Sequence, residues 1–143
     1  MRLLGEYQQK LDEKGRMVLP AAFRDELSHT KLILAFGDHG ELGLWPDTDF
    51  DQRASQKASK EYDSEADAKA YRRFMSNAGE VRLDAQSRLA VPESLRRKAG
   101  LEGAGSKDVV VIGVGNRVEI WEKHRFDRFQ DIGVDDAEGL ADA

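Results

Sequence analysis

Cysteine is absent from the sequence, which removes disulfides and thiolate metal sites and fits a cytoplasmic address. No stretch approaches the roughly 18 apolar residues that a membrane helix needs. The opening Met1-Arg2-Leu3-Leu4-Gly5 is too short for the apolar core of a signal peptide, and polar residues follow at once. Histidine is scarce. His29, His39 and His124 stand in unrelated contexts, without the spacing of a nucleophile's base or of a metal site. Asp38, His39 and Glu41 could approach a metal in one long hairpin turn, but a solvated turn explains them better. The sequence therefore predicts no enzyme, no metal or other cofactor and no small-molecule substrate. An excess of positive charge is lacking too, and the net charge of −5 argues against a general polyanion binder.

What is present is a well-charged globular chain. With 143 residues it has room for one compact domain or two small modules sharing a core. Its charge is unevenly placed. Residues 126–143 hold Asp127, Asp131, Asp135, Asp136, Glu138 and Asp142 against Arg128 alone, and the last ten or so are expected to be disordered. Residues 82–98 hold Arg82, Arg88, Arg96, Arg97 and Lys98 against Asp84 and Glu93. A local basic patch is thus compatible with the acidic total.

The chain also repeats itself. Leu11-Asp12-Glu13-Lys14-Gly15-Arg16-Met17-Val18-Leu19-Pro20 returns as Leu83-Asp84-Ala85-Gln86-Ser87-Arg88-Leu89-Ala90-Val91-Pro92, with Leu, Asp, Arg and Pro in register. Phe23 and Arg24 match Leu95 and Arg96, and Leu27 matches Ala99. After four extra residues in the second copy, Trp45 matches Trp121 and Phe50 matches Phe126.

Each copy predicts the same elements. Residues 6–11 and 80–83 lead into tight turns at Asp12–Gly15 and Asp84–Ser87, and residues 16–19 and 88–91 return as strands. Pro20 and Pro92 are expected at the first position of short helices, where a missing N–H costs little. Arg96, Arg97 and Lys98 suit the C-terminal dipole of the second of these, whereas Asp25 and Glu26 do not suit the first. Leu32–Phe36 and Val109–Val114 are the strongest β candidates, each followed by an alternating strand that ends on tryptophan. Between the copies, residues 47–78 read as two helices, with Asp47 as an N-cap and Ser64 with Asp67 as a capping box. Ala70, Phe74 and Ala78, with Tyr71 and Met75, form one apolar stripe expected to pack on the β modules.

The repeated Asp-x-x-x-Arg turn has a physical logic. Asp12 can accept backbone N–H groups ahead of it, Gly15 supplies a positive φ, and Arg16 leaves the turn held near Asp12. An arginine oriented in advance loses less entropy on meeting a ligand, and Lys14 adds a second charge at the tip. From spacing alone, a clamp at a module corner is an equally good account. In the second copy, Asp84 and Arg88 recur, but Ser87 replaces glycine and Gln86 replaces lysine. Positive φ costs a non-glycine residue on the order of 1 kcal/mol, so the second turn is expected to take another shape. Arg16 is accordingly expected to matter more than Arg88.

These paired turns, with Gly5-Glu6-Tyr7, Leu44-Trp45-Pro46 and Val118-Glu119-Ile120-Trp121, resemble the MraZ family of bacterial regulators over residues 3 to about 130. The resemblance implies an α+β fold of two tandem AbrB-like swapped-hairpin β-barrel modules, an intrachain pseudo-dimer with a helical insert. The corresponding division is residues 5–48, an insert at 49–77, a second module at 78–124, and a short helix with an acidic tail at 125–143. It implies a nucleoid-associated repressor of its own division and cell-wall gene cluster, binding direct repeats in double-stranded DNA as a ring. Lys14, Arg16 and Arg88 would be the DNA contacts, with Asp12, Gly15 and Asp84 supporting the turns. Arginine suits guanine and lysine suits phosphate. Two other readings stay open: an antitoxin-like partner-binding protein, and a ring that serves as a protein-interaction scaffold.

Overall fold

The computed structural model describes residues 2–130. The acidic tail expected after them lies outside the described residues. The element order is β1 (Glu6–Leu11), β2 (Arg16–Val18), α1 (Ala21–Leu27), β3 (Leu32–Phe36), β4 (Leu42–Pro46), α2 (Asp47–Ser59) and α3 (Glu65–Ser76) in the first part of the chain. Then come β5 (Gly79–Val81), β6 (Arg88–Ala90), α4 (Glu93–Lys98), β7 (Lys107–Gly113) and β8 (Val118–Glu122), and a helix α5 covers 123–130. The class is α+β with antiparallel pairing throughout the described sheets.

The two copies are interleaved. One sheet runs β1-β7-β8-β4-β3-β5 and a second pairs β2 with β6. The first strand of each copy therefore pairs with the third strand of the other, β1 on β7 and β5 on β3. Exchanging the copies reads the six-strand order backwards onto itself, so the chain has an internal pseudo-twofold axis. That axis passes Gly43 opposite Glu119 and Met17 opposite Leu89. Pairing also explains why β7 begins two residues before the expected Val109. Leu11 of the six-residue β1 lies opposite Lys107, and Lys10 reaches Asp108 at 2.7 Å.

The main core lies on one face of the large sheet and draws on both copies. Leu11, Met17, Leu19, Phe23 and Leu27 meet Leu89, Val91, Leu95, Ala99 and Leu101 there. On the other face each tryptophan has its own cover. Trp45 packs with Phe50 and Phe74 of the helical insert, their rings stacked at 5.0 Å, and Trp121 packs with Phe126 of α5. Gly43 is needed beneath the first tryptophan, since a Cβ there would stand 2.5 Å from Nε1 of Trp45.

All three prolines cap helix starts, so Pro20 and Pro92 stand one position earlier than expected and Pro46 one position later. Pro20, Pro46 and Pro92 stand just before α1, α2 and α4, with φ of −53°, −56° and −58°. Asp47 is consequently the first residue of α2 and not its cap, and its carboxylate accepts the Thr48 N–H at 2.9 Å. The Ser64 cap is as expected, with its hydroxyl accepting the Asp67 N–H at 3.0 Å. The apolar stripe of α3 is narrower than its spacing suggests. Phe74 is buried, whereas Met75 is exposed, because only one edge of this helix faces the sheet. Phe74→Ala should therefore cost roughly 3–5 kcal/mol and Met75→Ala less than about 0.5 kcal/mol in urea denaturation. Equal costs would show that the insert packs by another face.

Candidate nucleic-acid interface

The two repeated turns close the same way. In the first, one Asp12 oxygen accepts the N–H groups of Lys14 and Arg16, both at 2.9 Å, and the other accepts Nε of Arg16 at 3.2 Å. In the second, Asp84 accepts Gln86 and Arg88 N–H groups at 2.9 Å and Nε of Arg88 at 2.8 Å. Backbone bonds repeat as well: Gly15 N–H to Asp12 O at 3.0 Å, and Ser87 N–H to Asp84 O at 2.9 Å.

The expected change of shape at the second turn does not occur. Ser87 takes φ of 59°, the only positive value among the described non-glycine residues, beside 81° at Gly15. Three bonds to Asp84 and one from the Ser87 N–H outweigh a cost on the order of 1 kcal/mol. The two turns differ in charge instead, since the exposed tip carries Lys14 in one and Gln86 in the other.

Pairing across the copies brings the two turns together on one ribbon. Arg16 lies opposite Ala90 and Arg88 opposite Val18. Side chains alternate along a strand, so Met17 and Leu89 point into the core, and Arg16, Val18, Arg88 and Ala90 share the outward face. Diagonal neighbours on such a ribbon sit about 7–8 Å apart, which fits the two arginines. Their side chains are equally accessible, at 33% and 32%. Each turn is also tied to the opposite copy, by Val91 N–H to Gly15 O at 2.8 Å and Leu19 N–H to Ser87 O at 3.0 Å. Sequence reasoning missed the residues behind these ties. Arg24 donates to Leu19 O and Arg96 to Val91 O, five residues back in both copies. Their recurrence as a matched pair was the available signal.

The hairpin residues considered for a metal serve another purpose. Asp38 faces Nζ of Lys57 at 2.9 Å, Arg53 at 3.7 Å and Arg73 at 3.8 Å, which fastens both insert helices to the β3–β4 turn. Burial opposes ionisation of Asp38, but its bond to Lys57 and the surrounding cations hold its pKa down. Glu41 is not solvated: it is the one charged residue buried among those described, and its carboxylate accepts the His39 N–H at 3.3 Å. Burial first, then the nearby Glu119, pushes its pKa up. No group of three residues suited to a metal occurs among the described residues. Nor is any described helix long and apolar enough to cross a membrane.

The sequence is similar to known proteins along nearly its whole length. The chain matches the family model described as "MraZ protein, putative antitoxin-like" over residues 3–73 and again over 74–135. The chain belongs to the MraZ family. It is 38% identical to the transcriptional regulator MraZ of Heliobacterium modesticaldum, over 97% of this chain and 94% of that protein. It is 39% identical to that of Bifidobacterium longum, over 98% and 88%, and 37% identical to that of Saccharopolyspora erythraea, over 93% and 90%. The two family matches place one aspartate–arginine turn in each.

The Arg16 backbone N–H above all, with burial working against it, holds the Asp12 carboxyl below the ordinary carboxylate range, and Arg88 does the same for Asp84. Depressed carboxyls stabilise the fold above the unfolded value of about 3.9, and that contribution is lost as pH falls through the lower folded values. The amide resonances of Lys14, Arg16, Gln86 and Arg88 should stay flat down to about pH 4 and shift together below it. A transition at or above the ordinary aspartate value would mean that the carboxylates do not close the turns.

Proposed function

We propose that this chain is a sequence-specific, DNA-binding transcriptional regulator that uses the two arginine turns as its contact. The observation carrying this reading is the pair of identically clamped arginines on one exposed ribbon. A two-stranded ribbon is one of the few elements that B-DNA's major groove admits, and arginine is the side chain best matched to the guanine edge. The strand exchange described above suits AbrB-like swapped-hairpin modules, divided as 5–48 and 78–124 around the insert.

In this reading Arg16 and Arg88 reach base edges, Lys14 meets phosphate, and Asp12, Gly15 and Asp84 hold the turns in shape. The target is direct repeats upstream of the chain's own division and cell-wall gene cluster, and the outcome is repression at the nucleoid. One ribbon with three cations binds weakly alone. A head-to-tail ring on repeated sites raises the effective concentration and offsets the acidic net charge.

Fluorescence anisotropy with this upstream DNA, against scrambled DNA, tests the proposal. Specific binding should fall steeply with salt. Arg16→Ala should weaken it by about 1–3 kcal/mol, roughly 5- to 150-fold. Arg88→Ala should cost less, because its turn lacks the lysine that anchors the first. Lys14→Gln should lower affinity on all sequences alike and reduce the salt slope by about one. Indifference to sequence in assembled protein would move the function to protein partners, as in the antitoxin-like or scaffold readings.

A further inference from the structure

We infer that Arg96, supplied by the second copy, is a positioning residue for the first turn: it fills the space beside Gly15 and fixes the pose in which Arg16 meets DNA. The inference rests on the reading of the turns as DNA contacts. A Cβ placed on Gly15 would overlap Nη1 of Arg96 and lie 2.7 Å from its Cζ. The guanidinium thus occupies the volume that any other side chain at position 15 would need. Positive φ alone does not require this glycine, since Ser87 holds a comparable φ in the second turn.

The contact closes a short circuit through both copies. Nη1 of Arg96 donates to the Val91 carbonyl, and the Val91 N–H donates to the Gly15 carbonyl at 2.8 Å. Gly15 is held from two sides by groups tied to one another, because the Arg96 N–H donates to the carbonyl of Pro92, the residue after Val91, at 3.0 Å. Arg96 also lines a cleft with Asp12, Glu13, Glu93 and Glu102, so its charge offsets carboxylates next to a turn that must approach phosphates.

The second turn has a different version of this circuit. Arg24, the counterpart of Arg96, donates to Leu19 O at 2.9 Å through Nε and not through Nη1. The Cβ of Ser87 stands where Gly15 has none. Identical backbone clamps are therefore braced differently. Aspartate sets the shape of each turn; Arg96 sets where the first one sits.

The test uses the full-length assembled protein and the upstream DNA of its own gene, with affinity measured across salt. Arg96→Ala should weaken binding roughly tenfold, within the range for residues sharing one network. The salt slope should stay at the wild-type value, because Arg96 does not itself release a counterion. Arg96→Lys should recover little, since it keeps the charge but not the planar group. In an Arg16→Ala background, Arg96→Ala should cost nothing further. Amide exchange at Val91 should quicken in Arg96→Ala, while Leu19, bonded to Ser87, keeps its protection. Arg24→Ala removes the matching bond under the second turn and controls for general loosening.

Additive losses, or a salt slope lowered by one, would make Arg96 a DNA contact in its own right and overturn the inference. So would wild-type affinity in Arg96→Ala alongside impaired Arg16→Ala. If Arg16→Ala itself binds as wild type, the DNA reading of the turn fails, and exchange decides about Arg96. Unchanged Val91 protection then refutes the brace, and faster exchange confined to Val91 upholds it.

Discussion

A carboxylate that accepts three donors is the small fact on which the rest of the molecule depends. Asp12 and Asp84 each bind two backbone N–H groups and one guanidinium, and so close a four-residue turn and aim an arginine at once. The same reversal of direction carries the chain into β2 and β6, whose pairing joins the two copies. Turn, ribbon and presented arginine are one construction. A structural clamp and a contact site are therefore not competing accounts of this motif. In the proposed reading, the clamp is what makes the arginine usable.

Interleaving of the copies gives that construction its rigidity. Each turn ends in a carbonyl bonded to the opposite copy, and each short helix buries its apolar residues in a core contributed by both. The arginines are consequently held by a body of more than a hundred residues and not by a loop. Asymmetry enters in the arginines braced behind the turns and in the cover of the two tryptophans. The insert covers Trp45 while α5 covers Trp121, and the tips differ by one lysine.

Much of this was readable from local chemistry. The duplicated turn, the Ser64 cap and the packing of Phe74 on the sheet follow from spacing and residue type alone. What local spacing did not supply was the distant partner of particular residues. Nothing in Glu6–Leu11 says that it will pair with Lys107–Gly113. The shape of the Ser87 turn was misjudged because intrinsic preference was weighed without the four bonds that override it. Asp38 looked like a solvated turn residue because its three cations come from helices later in the chain. Arg96 looked like a helix-end charge, since its contact with Gly15 exists only after the copies interlock.

Strand exchange also dictates when the molecule can be completed. β1 is made first, yet its partner begins at Lys107, so about 5–20 seconds of synthesis at 5–20 residues per second separate the two. Through that interval the nascent chain carries a six-residue strand with neither edge paired, and β3 waits likewise for β5. Such edges are open to any other extended chain, including a neighbouring copy leaving the same message. Long-range pairing of this kind also slows folding, because loop closure precedes any gain from contact. A single chain that holds both copies keeps the right partner tethered at high local concentration, which favours self-completion over exchange between molecules.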